Sequence, residues 1–482
     1  MLKTLTTWLL VSLALHSIAA IYSAGFYHAD EHFQILEFMN YHLGNSPASD
    51  LPIEFHRSMR PWMQPAVYGF ISSLLKTAGV TNTLTLALWF RIFSAFIGWL
   101  SVAGLVMCGR KWFKTEAIAI VFALIWYLPA FHARHSSENL AGSMFFIGVS
   151  LLVLFRRGIL PKSVVFFAGF LLGLAFEFRY QVGIMVAGFY LWMFFFKRSQ
   201  GTSTKDLYII SLGVCSAVVL GIFVDRWGYG HWTFAPWNYL QYNIIENHVS
   251  DVDTSPWYDY FRRAFTETWP PLGFLLLVSF VIAWIRHPRH VLTWSTLPLF
   301  LIHMIIGHKE LRFLFPIIHA GPALLVMALY PWFGKLCEKL KLLRWLTMAL
   351  VATNIAALLV TSLVPAWMPI RFYSYINSTP GINEIYYMTD NPFNVGGIRL
   401  NFYRPKNLEL HSITDYSMLD PGGVLFFHTR STLPPVLLDD IAAEKIKCSL
   451  VFQSLPTLVE HNIFKGILDR VTNWSLFNCQ MG

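Results

Sequence analysis

The sequence predicts an all-α polytopic membrane protein with a small C-terminal α/β extracytoplasmic domain. Of its 482 residues, 55% are hydrophobic and only 13% are charged, whereas a soluble domain carries about 25% charged residues. Apolar runs long enough to cross a bilayer recur along residues 1–365, since one span needs about 20 residues. In residues 366–482 these runs shorten to strand length, and Asn, Pro, Gly and Asp become frequent.

Eleven apolar runs flanked by charge, Pro or Gly are predicted to span the membrane, near 5–25, 84–108, 116–131, 139–155, 163–178, 181–196, 207–224, 269–285, 291–306, 313–332 and 345–365. The first run lacks a small-residue cleavage site followed by a soluble chain, so we interpret it as an uncleaved span. Residues 62–79 are shorter and interrupted by Gln64 and Pro65. We expect them to form a helix that lies in the membrane or enters it partly.

The positive charge of the chain follows this topology. With a cytoplasmic N-terminus, the predicted inner loops contain 16 Lys or Arg residues and three acids. This excess of 13 is larger than the net charge of +9, as expected when basic residues collect in cytoplasmic loops. The basic balance therefore gives no reason to expect a nucleic-acid partner.

The five cysteines show no paired metal-ligand spacing, which argues against a zinc site. Cys448 and Cys479 both lie in the predicted outer domain. A disulfide is permitted there, and the sequence leaves open whether this pair forms one.

The same topology delivers five polar clusters to the outer face, within 26–61, 131–139, 177–181, 225–268 and 307–312. The first four have structural explanations as well: a solvated helix start at Asp30 and Glu31, a polar loop, an ion pair between Glu177 and Arg179, and an interfacial aromatic belt. In the fifth, charges wedged between two spans are costly unless they meet a ligand or one another. Together the clusters favour one interfacial active site.

Two other classes of function remain as alternatives. A transporter or flippase for lipid-linked sugars places ionisable groups near the bilayer midplane and often shows repeated halves, whereas here the charges lie at span ends and no repeat is visible. A non-catalytic scaffold with an outer binding domain would keep the polar clusters apart.

The polar motifs resemble those of glycosyltransferase family 22, the GT-C mannosyltransferases that include enzymes of GPI-anchor and asparagine-linked-glycan synthesis. The most specific element is the string His308-Lys309-Glu310-x-Arg312-Phe313. The resemblance covers about residues 20–320 and also includes Asp30-Glu31 with Gln34 and Glu37, Arg57-Ser58 with Pro61, Asp225, Tyr229-Gly230, Pro236-Trp237-Asn238-Tyr239, Pro256-Trp257 and Tyr260.

The resemblance implies inverting transfer of a hexose, typically mannose, from a polyprenyl- or dolichyl-phosphate sugar to a glycan or glycolipid acceptor. It implies Asp30 as the general base, with Glu31 orienting the acceptor or taking that role itself. Lys309 and Arg312 would neutralise the leaving phosphate. The implied partners are the lipid bilayer, the lipid-linked donor and the acceptor. No cofactor or metal is expected, since phosphate is already a good leaving group.

The remaining predicted substrate-binding residues are Arg134, Arg179, Trp237, Asn238, Trp257, His308 and Glu310. Arg134 is a further candidate for binding the phosphate, His308 is expected to hydrogen-bond the phosphate or the sugar, and the two tryptophans with Asn238 are expected to line the sugar or acceptor site. The compact chain with short loops favours a bacterial inner membrane with a periplasmic site. The endoplasmic reticulum is the alternative.

Overall fold

The computed structural model describes residues 2–154, 161–200, 204–248, 254–330, 332–388, 390–395, 397–414, 424–428, 446–455 and 473–481. The chain divides into two compact units. The first unit comprises Met1–Ser23, Glu54–Tyr68 and Trp89–Val364, and the second comprises Ala24–Ile53, Gly69–Leu88 and Pro365–Gly482. The second unit thus combines the predicted C-terminal domain with two segments from the N-terminal part of the chain. The predicted division at residue 365 stays a prediction.

The α-helices are α1 (Leu2–Tyr22), α2 (Glu37–His42), α3 (Ile53–His56), α4 (Met63–Thr77), α5 (Thr83–Phe113), α6 (Ala117–Leu124), α7 (Leu128–His132), α8 (Ser137–Leu154), α9 (Lys162–Phe178), α10 (Gly183–Gln200), α11 (Thr204–Tyr229), α12 (Ala235–Leu240), α13 (Asp259–Thr266), α14 (Leu272–Arg286), α15 (Val291–Ile305), α16 (Phe315–Ile318), α17 (Gly321–Leu329), α18 (Trp332–Lys339), α19 (Lys341–Leu363) and α20 (Ile370–Ser378). The strands are β1 (Glu384–Tyr387), β2 (Asn394–Val395), β3 (Ile398–Arg399), β4 (Glu409–Ser412), β5 (Val424–His428), β6 (Ile446–Gln453) and β7 (Ser475–Met481).

Among the described residues, five helices are long and apolar enough to cross a membrane: α1, α5, α8, α11 and α19. A sixth candidate is the pair Leu311–Ile318 and Gly321–Leu329, which is bent by 73°. The protein is therefore a mostly helical, multi-pass membrane protein, and the count of eleven spans stays a prediction. Two of the predicted runs, 116–131 and 313–332, are divided between shorter helices. The second break precedes Pro322, whose ring and missing N–H disfavour a continuous helix.

Small residues let α9 and α11 pack closely in the first unit. A Cβ atom added at Gly169 would lie 2.2 Å from the backbone oxygen of Ile210, and one at Gly213 would lie 2.2 Å from the backbone oxygen of Phe166. Glycine at such positions allows helix backbones to approach in a membrane, where van der Waals packing drives association. This contact holds α9, whose C-terminal end leads into the link to α10 that carries Arg179.

The second unit contains a five-stranded mixed sheet with strand order β4-β1-β5-β7-β6. Strands β4, β1 and β5 run parallel, whereas β7 pairs antiparallel with both β5 and β6. Helix α20 supplies Phe372 and Tyr373, which pack against Trp474 with ring centroids 5.5 and 5.8 Å apart. All three rings are buried, and large aromatic side chains dominate the packing of such a core.

A disulfide joins Cys448 and Cys479, and thus resolves the question that the sequence leaves open. The two residues are directly opposite each other on β6 and β7, and their Sγ atoms are 2.03 Å apart. The bond closes a loop with a sequence separation of 31 residues. It ties the edge strand β6 to its only neighbour in the sheet order of the described residues.

Candidate active site

The two predicted base residues stand just before an unusual helical turn in the second unit. Asp30 and Glu31 precede the π-helical turn His32–Leu36, a rare conformation that is frequent at functional sites. Glu31 is buried, and its Oε1 accepts the backbone N–H of His28 at 3.3 Å. The Asp30 side chain is 24% exposed. Asp30 is therefore the acid that a substrate can reach more easily.

Glu37 holds this turn in place. Its Oε1 accepts hydrogen bonds of 2.8 Å from Nε2 of His32 and from the backbone N–H of Phe402. Its Oε2 lies 3.5 Å from the Ser46 hydroxyl. Glu37 is buried, so these charge-assisted bonds are made away from water. They attach the segment after Asp30 to the 3₁₀ turn Asn401–Tyr403 of the same unit.

The segment 131–139 of the first unit folds inward as a buried loop. Arg134 is only 1% exposed, and its Nε donates to the carbonyl of Ala130 at 3.2 Å. The Asn139 amide donates to the carbonyls of His132 and Arg134 at 2.7 and 3.1 Å. This clamp sets the direction in which Arg134 leaves the backbone. The polar cluster that the sequence places here is therefore part of a packed interior and not an open loop.

Arg179 pairs with Glu138 and not with its neighbour in sequence. Its Nη2 lies 3.1 Å from Oε1 of Glu138, and the two side chains are 6% and 5% exposed. The pairing with Glu177 that the spacing allows is not the one observed, because Glu177 packs at Gly221, where an added Cβ would lie 2.0 Å from its Oε2. Burial lowers the pKa of Arg179, and the nearby Glu138 carboxylate opposes this.

The first unit contains three arginines from separate links that interact electrostatically, since Arg60 and Arg312 both lower the pKa of Arg179. The links of Arg60 and Arg179 also meet at Tyr239, whose ring lies 5.4 Å from the Arg60 guanidinium and whose hydroxyl accepts from the Gln181 amide. Each has its own carboxylate partner, in the pairs Arg60–Glu54, Arg179–Glu138 and Arg312–Glu310. We call Arg60, Arg179 and Arg312 the arginine cluster. Its planar, permanently charged groups suit a phosphate or another polyanion.

The segment 307–312 combines two arrangements. Glu310 accepts from Nε2 of His308 at 2.8 Å and from the Arg312 guanidinium, whose Nη2 is 3.2 Å from the same oxygen. Lys309 does not contact this carboxylate in the same way. It is 2% exposed, and its Nζ donates to the carbonyl of Ile306 at 2.5 Å. Burial lowers the pKa of Lys309, and Asp259 counteracts this. Glu310 and Arg312 thus meet each other within the segment, whereas Lys309 interacts with groups outside it.

In the segment after α11, polar and aromatic residues face opposite ways. The Asn238 amide donates to the carbonyl of Ser58 at 3.1 Å and to the Thr233 hydroxyl at 2.9 Å. The rings of Trp237 and Trp257 are instead 51% and 63% exposed. The expected lining of a sugar site by both tryptophans stays a prediction, while Asn238 is directed into the protein.

Arg60 is held by Tyr229 and Tyr239, for which the sequence predicts no specific role. Its backbone N–H donates to the Tyr229 hydroxyl at 3.0 Å, and that hydroxyl donates to the Arg60 carbonyl at 2.8 Å. The Arg60 guanidinium lies over the Tyr239 ring, 5.4 Å from its centroid, and the Gln181 amide donates to the Tyr239 hydroxyl at 2.5 Å. All four residues belong to the polar clusters predicted for the outer face. Tyr229 and Tyr239 also belong to the motifs that the sequence shares with its family.

Three buried histidines, His16, His132 and His319, form a chain of ring contacts that includes one residue of the loop 131–139. Nε2 of His16 is 2.8 Å from Nδ1 of His132, whose Nε2 is 3.0 Å from Nδ1 of His319. Two glycines make room for the rings, since an added Cβ at Gly98 would lie 2.3 Å from His132 and one at Gly142 would lie 2.4 Å from His319. The chain links α1, α7 and the break between α16 and α17.

The fold and these contacts define a multi-pass membrane protein with a polar site built from the links between its helices. The fold is similar to that of ArnT from Cupriavidus metallidurans, whose crystal structure contains bound undecaprenyl phosphate. The TM-score is 0.53 at 11% identity, and the comparison covers 99% of this chain and 97% of ArnT. At this identity the likeness concerns the fold alone.

The chain belongs to the Alg9-like mannosyltransferase family, which matches residues 7–398. The family resemblance inferred from the sequence is thereby confirmed. A relative from Schizosaccharomyces pombe, a probable Dol-P-Man:Man(7)GlcNAc(2)-PP-Dol alpha-1,6-mannosyltransferase, is 24% identical over 272 residues. The aligned part covers 55% of this chain and 46% of that protein's length, so the match spans about half of this relative.

Proposed function

We propose that this chain is an inverting glycosyltransferase that moves a hexose, mannose as its family suggests, from a polyprenyl- or dolichyl-phosphate donor to a glycan or glycolipid acceptor. Family membership supports the reaction class. The name of the S. pombe relative contains dolichyl-phosphate mannose as the donor. The observation that carries the proposal is the arginine cluster, in which Arg60 and Arg312 act electrostatically on Arg179 and each arginine is paired with a carboxylate.

A lipid-phosphate leaving group needs positive charge at the membrane surface, and the arginine cluster supplies it. Each guanidinium already shares its charge with one carboxylate, which lets three cations lie together without a ligand. When a phosphate enters, the bidentate fork of an arginine bonds it in a geometry that lysine does not offer. Lys309 and Arg134 are the further cations of this unit assigned to the donor.

In the proposed step the acceptor hydroxyl oxygen attacks C1 of the sugar from the face opposite the phosphate. The new O–C1 bond forms as the C1–O bond to phosphate breaks, and that electron pair leaves with the polyprenyl phosphate. The hydroxyl proton passes to the Asp30 carboxylate, which acts as general base. The cations stabilise the charge that develops on the departing phosphate, so we expect the reaction to need no resident metal.

A transfer assay with polyprenyl-phosphate mannose in membranes that contain the protein tests this function. Asp30→Asn should lower turnover by about 10²–10⁴-fold, the usual contribution of a general base, whereas Glu31→Gln should have the smaller effect because Glu31 is buried. Glu338→Gln, at an exposed position in α18, is the matched control. A normal rate of sugar transfer by the Asp30→Asn, Glu31→Gln double variant would refute the mechanism.

We propose that the site faces the periplasm of a bacterium, with the lumen of the endoplasmic reticulum as the alternative. The charge excess of the predicted inner loops supports an outer site, as does the disulfide, which is stable in oxidising compartments. A membrane-impermeant thiol reagent applied to intact cells, with the periplasm made accessible, should label Lys406→Cys and spare Lys162→Cys. Labelling of the second variant alone would reverse the orientation.

One observation favours the transporter alternative. The bent pair Leu311–Ile318 and Gly321–Leu329 is the kind of discontinuous helix that transporters use at their binding sites. Proteoliposomes separate the two functions: a flippase moves a labelled lipid-linked sugar between leaflets without acceptor, and a transferase consumes it only when acceptor is present.

A further inference from the structure

The segment that follows α11 exposes a continuous apolar face. Among residues 232–245, six large apolar side chains are between 43% and 63% exposed: Trp232, Phe234, Trp237, Leu240, Ile244 and Ile245. Positions 237, 240 and 244 have the spacing of one helix face on α12 and the π-helical turn Gln241–Ile245 that continues it. Residues 227–245 contain no Asp, Glu, Lys or Arg.

The opposite face of this segment is polar and bound to the protein. Asn238 bonds the carbonyl of Ser58 at 3.1 Å. The Tyr239 ring lies under the Arg60 guanidinium, and the Tyr242 ring lies under that of Arg57 at 5.7 Å from its centroid. The segment is therefore amphipathic in the folded protein, with its polar side committed to internal contacts.

The apolar face continues the lipid-facing side of a membrane span. Helix α11 is a candidate span, and only 22% of its most apolar stretch is buried inside the protein. Near its end, Phe223 and Trp227 are 57% and 47% exposed. Phe223 meets Trp232 edge to face at 5.6 Å, and the Arg226 guanidinium lies 5.8 Å from the Trp232 ring. The two apolar surfaces thus join without a break.

We propose that residues 232–245 form an interfacial segment whose apolar face is covered by the lipids of the outer leaflet. Trp and Tyr prefer the level of the lipid head groups, and an amphipathic helix buries its apolar face about 5–10 Å into the head-group region. The continuity with α11 favours lipid over a protein partner as the occupant. Through Asn238, Tyr239 and Tyr242, the membrane surface then sets the height of Arg57 and Arg60. The proposal does not depend on the reaction that the site performs.

Depth-dependent quenching of a fluorescent label on the full chain in lipid nanodiscs tests whether lipid covers the apolar face of residues 232–245. The accessible free thiols Cys215 and Cys337 are replaced by Ser, while buried Cys108 and the disulfide stay in place. A label on Leu240→Cys should lose more emission with a nitroxide near the lipid head group than with one near the chain end, as expected for interfacial depth. Ile244→Cys should behave in the same way.

Two matched positions calibrate the result. Val219→Cys, 51% exposed on α11, should be quenched more by the nitroxide near the chain end. Lys162→Cys, exposed at the start of α9, should be quenched mainly by a water-soluble quencher. Both Leu240 and Ile244 are exposed, so their labelled variants should keep the thermal unfolding midpoint of the parent. If both labels respond like the one at Lys162, lipid does not cover this face and the proposal is overturned.

Discussion

Replacing Glu138 by alanine should destabilise the first unit because it leaves a buried guanidinium without its partner. Glu138 and Arg179 are 5% and 6% exposed and approach to 3.1 Å. Arg179 also has Arg60 and Arg312 as electrostatic neighbours, and it keeps a hydrogen bond to the Ser137 hydroxyl at 3.4 Å. Removing one partner of a buried ion pair costs about 3–5 kcal/mol of unfolding free energy. The remaining hydroxyl contact puts the expected loss at the lower end, about 3 kcal/mol.

The matched control breaks an exposed pair of the same chemistry. In Glu267→Ala the lost contact is with Arg263 at 3.0 Å, the side chains are 38% and 17% exposed, and Arg263 keeps its bond to Asp259 at 2.6 Å. An exposed pair contributes at most about 1 kcal/mol. The difference between the two variants therefore measures the cost of an unpaired charge in the interior.

The assay is the unfolding free energy in micelles from denaturant titration, measured for Glu138→Ala, Arg179→Met and their double variant. The double variant should recover most of the loss caused by Glu138→Ala, since it removes the uncompensated charge as well as the carboxylate. The reasoning is refuted if Glu138→Ala costs no more than the control Glu267→Ala. It is equally refuted if the double variant is less stable than Glu138→Ala.

Three further predictions concern other parts of the chain. Because burial lowers the pKa of Lys309, activity that needs its positive charge should fall at a pH below 10.5. In Lys309→Arg the alkaline limb of the pH–rate profile should move to higher pH, because arginine keeps its charge there. An alkaline limb at the same pH in both proteins would exclude Lys309 as its cause. Replacing Cys448 and Cys479 by Ser should cost about 2–4 kcal/mol by the loop-closure entropy of the 31-residue separation, read as a lower thermal midpoint; alkylation of both thiols in the unreduced wild type would contradict the disulfide. Gly98→Ala should cost about 1–3 kcal/mol because its Cβ meets a buried ring, while Gly334→Ala, with nothing within 4 Å, should not; equal stabilities would show that the ring gives way.

Long apolar helices were predictable because one local property, the length of an apolar run, decides them. The predicted spans 5–25, 207–224 and 345–365 correspond to α1, α11 and α19, and the interrupted stretch 62–79 forms α4. The breaks at 125–127 and 319–320 were not predicted. An apolar run has the same composition whether its helix is continuous or bent. The bend depends on which neighbours hydrogen-bond the backbone N–H and C=O groups that the break leaves unpaired.

The residue types of the candidate site were predictable, but their partners were not. The motif containing Glu310 and Arg312 indicated a local cluster, and the structure has one because both residues lie within a single link. Arg179 could have paired with a neighbour two residues away, yet its partner Glu138 comes from the first turn of α8. Glu37 is fixed by a backbone N–H that is 365 positions further along the chain. Such pairings depend on tertiary packing, of which a single sequence carries no direct record.

The histidine chain has a direction. A carbonyl oxygen only accepts, so Nδ1 of His16, 2.7 Å from the Ser12 carbonyl, carries a proton. In a neutral imidazole the other nitrogen is then an acceptor. Nε2 of His16 accepts a hydrogen bond from Nδ1–H of His132, and Nε2 of His132 is in turn an acceptor facing Nδ1 of His319. One carbonyl on α1 thus orders the tautomers of His16 and His132, while His319 also has the Glu138 backbone as a hydrogen-bond partner. Substitution of Ser12 by a helix-compatible residue would preserve that order, whereas a kink that withdraws its carbonyl would free the rings of His16 and His132 to reverse together.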